Sequence, residues 1–166
     1  MNSVWLAGFG TGGALAITAA SLSEEISGVA AISAPSDFRD WAQNPDQLLQ
    51  YSRTVGAISD PDFPQDEDSW AAEIDLIRPV EAAGEIGKKP LLVVHGASDQ
   101  VVPSFDARVL ADSHGGADLR IIDGGTHRLR FDPRASAIII GWLDRTYRLL
   151  AKDMTSDQFP ISEGES

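Results

Sequence analysis

An α/β fold with a mostly parallel sheet is what this chain predicts, on three observations. Short apolar runs alternate with helical patterns, the runs are apolar throughout, and a glycine-rich turn joins the first run to the first helix. A strand reads as a continuous apolar run when helices cover both of its faces. Strand and helix in alternation give right-handed crossovers and a parallel sheet.

The first run, Val4 to Gly8, leads through Gly8-Phe9-Gly10-Thr11-Gly12-Gly13 into an Ala-rich helix over Thr11 to Leu22. The second strand is Gly28 to Ser33. Residues 37–87 then break the rhythm with Trp41, Trp70, Pro45, Pro61 and Pro64, and with helical stretches near Gln47 to Ala57 and Asp68 to Ile77. This stretch reads as a helical lid inserted into the sheet, although a long connection with small helices of its own gives the same pattern. Pro90 to His95 is the third strand, Ser104 to Asp112 a helix, Leu119 to Ile122 the fourth strand, and Pro133 to Leu150 a helix opened by Asp132 and a proline at its first turn. The expected domain is 1–152, and the polar, acidic segment 153–166 reads as a disordered tail.

With 166 residues, 43% of them hydrophobic, the chain suits one packed domain. Thirteen Lys and Arg stand against 25 Asp and Glu, a net charge of -12, which leaves no basic surface for phosphates or anionic lipid. Neither nucleic acid nor a membrane is an expected partner. There is no cysteine, so disulfides and thiolate metal sites are excluded, and a cytoplasmic location is the expectation. No run resembles a signal peptide or a membrane span.

Three segments carry chemistry. The turn centred on Gly10 has the form of a strained strand-to-helix elbow, G-x-S-x-G, with glycine where the serine would stand. Leu91-Leu92-Val93-Val94-His95-Gly96-Ala97-Ser98-Asp99-Gln100-Val101-Val102-Pro103 is a strand followed by H-G-x-x-D-x-V-V-P, and Ile121-Ile122-Asp123-Gly124-Gly125-Thr126-His127 is a strand followed by a loop ending in histidine. Together they resemble the C-terminal half of the α/β-hydrolase superfamily, in particular its esterase and serine aminopeptidase-like members. The resemblance covers about residues 3 to 150 and follows the family's order of nucleophile, acid, base.

The resemblance implies a partial α/β-hydrolase fold: a sheet of about four parallel strands, helices on both faces, and a lid over the crevice at the strands' carboxyl ends. Asp99 is then the acid that orients His127, His127 the general base, and Gly10 the nucleophile position without its serine. The Thr11 amide is left as the oxyanion donor, and Phe9, Trp41 and Trp70 are candidate substrate contacts. Neither metal nor cofactor is called for. Without the serine no acyl-enzyme forms at position 10, and hydrolysis is impaired by several orders of magnitude. A water activated by His127 is one route left open. Ser33, Ser98 and Ser104 lie in nearby loops, but none is expected on a strained turn. His95, ending a buried strand, reads as a structural histidine with its bonds satisfied, and His114 as a solvent-facing helix end.

Two further expectations follow. Gly8, Gly10 and Gly13 also satisfy the dinucleotide pattern G-x-G-x-x-G, but the next strand ends in Ala34-Pro35 and lacks the acidic residue that would hold a ribose. The resemblance begins at the family's fifth strand, which leaves Val4 to Ala7 as an open apolar edge. Either the chain is a fragment or another copy covers that edge, so a homo-oligomer is a candidate state alongside a small acyl compound as ligand.

Overall fold

In the computed structural model, residues 3–156 are described, without the side chains of residues 153–156. Four strands form one parallel sheet in the order of the sequence: β1 (Val4–Phe9), β2 (Ile26–Ile32), β3 (Leu91–Gly96) and β4 (Asp118–Ile122). Each strand lies within two residues of its expected bounds. Helix α1 (Thr11–Leu22) follows β1, and four helices stand between β2 and β3: α2 (Arg39–Gln43), α3 (Pro45–Thr54), α4 (Glu67–Asp75) and α5 (Pro79–Glu85). Helix α6 (Ser104–His114) follows β3, and α7 (Pro133–Ser156) ends the described chain.

The two sheet faces bury two separate apolar layers. On one face Val29, Ala31, Leu91 and Val93 pack against Ile17 and Ala20 of α1, Ala83 of α5, and Ala107 and Leu110 of α6. On the other, Ala30, Ile32, Leu92 and Val94 meet Leu129 and the inner side of α7, where Trp142 stands edge-on to Trp5 of β1 at 5.6 Å. Helices thus cover both faces, as expected. Successive side chains of a strand point to opposite faces, so strands covered on both sides need no polar residue along their length.

The elbow brings strand and helix together because Gly8 has no side chain: a Cβ there would strike the carbonyl of Gly12. Gly12 itself meets no such restriction. Helices α2 to α4 form a small cap over the start of α1, where Phe38 and Ile74 are buried against Ala14, with Trp41, Leu48, Trp70 and Ile77 around them. The last helix of the 37–87 stretch, α5, belongs to the sheet layer.

Helix α7 differs from expectation. It runs through Asp153 to Ser156, into the segment read as a disordered tail, since no glycine or proline breaks the pattern there. Residues 157–166 of that tail lie outside the described residues. Among the described residues no helix is long and apolar enough to cross a membrane.

Candidate functional site

Parallel strands deliver their following loops to one end of the sheet, and three of those loops meet here. After β1 the chain turns at Gly10, with φ 56° and ψ -128°, held by its N–H donating to the carbonyl of Ile32 at 2.8 Å. Gly10 supplies no capping side chain, Thr11 is exposed at the start of α1, and the N–H groups of Gly13 and Ala14 donate to the Gly10 carbonyl at 3.0 and 3.3 Å.

After β3 the chain curls around Asp99. One carboxylate oxygen, Oδ1, accepts the N–H groups of Val101 at 2.8 Å and Val102 at 2.9 Å. The other, Oδ2, lies 2.9 Å from Nδ1 of His127. The Asp99 side chain is fully buried and that of His127 is 26% exposed. The two loops are tied together by backbone: Ala97 N–H donates to Ile122 O at 2.9 Å and Ser98 N–H to Gly125 O at 2.8 Å. Two amide donors and two imidazoles, that of His127 and that of His95 with Nε2 3.2 Å from Oδ2, thus surround one desolvated carboxylate, and the ring of His127 stands with Nδ1 inward and Nε2 outward.

That outward nitrogen faces the elbow. A Cβ built on Gly10 would stand 3.6 Å from Nε2 of His127 and 3.8 Å from Cε1, ordinary contact distances that leave room for a side chain. The motifs around Gly10, Asp99 and His127 are therefore brought into one place, with Thr11 beside them.

The aromatic candidates separate. Trp41 lines a cavity of about 220 Å³ with Leu48, Tyr51 and Val101. This cavity reaches the Asp99 loop through Val101, although its wall includes none of Gly10, Asp99 and His127. Trp70 stands edge-on to Phe63 in a different cavity of about 350 Å³, lined by Asp60, Asp62, Asp66 and Glu73. Phe9 is 40% exposed and lines neither. Leu48, Tyr51 and Val101 were not legible as a group, because two come from the cap and one from the β3 loop.

Three readings of polar residues need correction. Ser33 does sit on a strained turn: its φ is 51°, it is 1% exposed, and its hydroxyl has no partner. His95 is buried as expected but only half satisfied, with Nε2 3.0 Å from the carbonyl of Val102 and 3.2 Å from Asp99 Oδ2, and Nδ1 without a partner. His114 is also not free at its helix end, because its Nε2 lies 3.0 Å from the carbonyl of Lys89.

Among solved structures the chain is similar to Est1E from Butyrivibrio proteoclasticus, with 18% identity over 91% of this chain and 63% of that one, at a TM-score of 0.66. The fold is that of a partial α/β-hydrolase. An esterase domain from a Rhodothermus marinus protein matches with 19% identity over 85% of this chain and 60% of its own, at 0.62. An α/β hydrolase from the metagenome of lagoon sediments at Mar Chica, Morocco, matches with 16% identity over 87% and 62%, at 0.61. The chain spans about three fifths of the length of these structures. No family model and no curated protein matches the sequence.

Proposed function

We propose that this chain is an α/β-hydrolase-like protein that binds a small acyl compound, an ester or amide, at a site with the acid and base of a hydrolase and no attacking oxygen. The reading is carried by one observation: a Cβ at Gly10 would lie 3.6 Å from Nε2 of the histidine that Asp99 orients. A serine hydroxyl on that carbon would fall within reach of the one ring nitrogen free to take its proton. The esterases among the structural neighbours support the substrate class, and the cavity at Trp41, Leu48, Tyr51 and Val101 is apolar enough for an acyl chain.

In this reading Asp99 holds His127 in the Nδ1–H tautomer, and Nε2 is the base. The substrate carbonyl would sit above Gly10 with its oxygen toward the Thr11 N–H at the start of α1, where the helix dipole favours negative charge. With Gly10 in place no covalent acyl intermediate forms, and what remains is binding and any slow attack by a water that His127 deprotonates.

The test is ester hydrolysis by the native chain, by Gly10→Ser and by Gly10→Ser with His127→Ala. Gly10→Ser is expected to exceed the native rate on the order of a hundredfold or more, and loss of His127 to remove about 10²–10⁴-fold of it. Equal rates in all three, with each variant folded, would contradict the placement of the site. The oligomer expectation also stands as a proposal, favoured by the exposure of Val4 and Ala7 on the outer side of β1.

A further inference from the structure

The loop that carries Asp99 and the loop that carries His127 cross at two glycines. Gly96 ends β3 beside Ile122 of β4, and a Cβ built on it would overlap the carbonyl of Gly125 and stand 2.9 Å from the backbone nitrogen of Thr126. From the other side, a Cβ on Gly125 would stand 3.0 Å from Cα of Gly96, 3.0 Å from the carbonyl oxygen of Ile122 and 3.1 Å from Cδ2 of Leu129. Neither glycine has a left-handed φ, whereas the neighbouring Gly124 does, at 65°. What excludes a side chain from positions 96 and 125 is therefore space alone.

The crossing is also bonded. Ser98 N–H donates at 2.8 Å to the Gly125 carbonyl, the same one that a Cβ on Gly96 would strike, and Ala97 N–H donates to Ile122 O at 2.9 Å. The functional side chains follow closely, with Asp99 next after Ser98 and His127 two residues past Gly125. Between them, Nδ1 of His127 lies 2.9 Å from Oδ2 of Asp99. That contact has little slack, because a separation of about 3.6 Å is no longer a hydrogen bond. Close-packed backbone passes a displacement on instead of absorbing it.

We infer that Gly96 and Gly125 are positioning residues, whose bare backbones let the two loops approach closely enough for Asp99 to hold His127. A methyl group at position 96 would push the segment of Gly125 and Thr126 off the Asp99 loop, and the imidazole would move with it. A methyl group at position 125 meets milder contacts and displaces less. Both glycines act only through the two side chains they bring together, and small misplacements of such groups are costly to a reaction. The inference rests on the reading of Asp99 and His127 as the acid–base pair.

Proton NMR of the full chain tests it, reading the Nδ1–H of His127, assigned by its absence in His127→Ala, while urea unfolding measures stability. In the native chain that proton should resonate far downfield, as one bonded to a buried carboxylate does. Gly96→Ala should lose the signal, and Gly125→Ala should move it upfield and speed its exchange with solvent. Two further variants separate position from packing. Gly28→Ala sets a Cβ against the ring of Trp5 near the strands' amino ends, so it should lower stability and leave the signal unchanged. Gly124→Asn, in open space at a φ that asparagine tolerates, should alter neither. A folded Gly96→Ala or Gly125→Ala chain with the native signal would overturn the inference, and so would an equal loss in Gly28→Ala. Should Gly96→Ala not fold, Gly125→Ala decides. A native chain without the downfield proton would remove the acid–base reading itself, whereas a native signal indifferent to both glycines would remove the crossing alone.

Discussion

The backbone at Gly10, φ 56° and ψ -128°, is one that L-residues adopt only under strain, and the surrounding space shows that strain is the only obstacle to a side chain there. Gly10→Ala should therefore lower stability by about 1–3 kcal/mol in denaturant unfolding without disturbing His127, whose ring atoms stand at contact distance from the added methyl. A larger loss would mean that the elbow is packed more tightly than its geometry indicates. Asp99 and His127 were legible in the sequence because each closes a motif after a strand, and parallel strands bring such loops to one end. Ser33 was not legible, since a serine before Ala-Pro gives no sign of a left-handed backbone and the residue opposite it is known only once the register is set. The place of Trp70 in a cavity apart from Trp41 was hidden for a related reason: sequence distance does not say on which side of the cap a ring will stand.

Helix α1 depends on one long-range contact at its other end. Nζ of Lys89 donates to the carbonyls of Ala20 and Ser23, each at 2.8 Å, and so satisfies acceptors that the helix cannot pair itself. Lys89→Met keeps the stem and removes the donor. Because charge-assisted bonds to partly buried carbonyls contribute about 1.5–3 kcal/mol, a loss of that order in urea unfolding is expected, and no change would show that water replaces the lysine freely. The inner strand β3 was read within two residues because it is buried on both faces, and α1 because the elbow fixes its start. Helices α2 and α5 were less visible at 5 and 7 residues, too short to show a helical period. The contact from Lys89, separated from Ala20 by 69 positions, has no local signature at all.

At the scale of the molecule the sheet has two edges, β1 and β4, and the chain spans about three fifths of the structures it resembles. Val4 is 47% exposed at the outer edge of β1, and the outward side of α7 leaves Ile140 and Tyr147 at 68% and 55%. Open parallel edges with apolar side chains are ordinarily covered. Sedimentation at micromolar concentration should therefore find a species larger than a monomer, which Ala7→Lys would disperse; a stable native monomer would remove the proposal that a second copy pairs with β1. The order of the motifs made the fold legible at this scale, while the state of the edge was not, since exposure is a property of what surrounds a strand.

Gly10 is proposed to occupy a nucleophile's place before the pair of Asp99 and His127. That placement is tested most directly by adding the missing oxygen and asking whether it becomes reactive toward a fluorophosphonate, with the adduct read by intact mass. Gly10→Ser should take up one phosphonyl group per chain at Ser in position 10, the native chain none there, and Gly10→Ser with His127→Ala should react far more slowly. A folded Gly10→Ser chain that stays unlabelled, or labels equally fast without His127, would contradict the account.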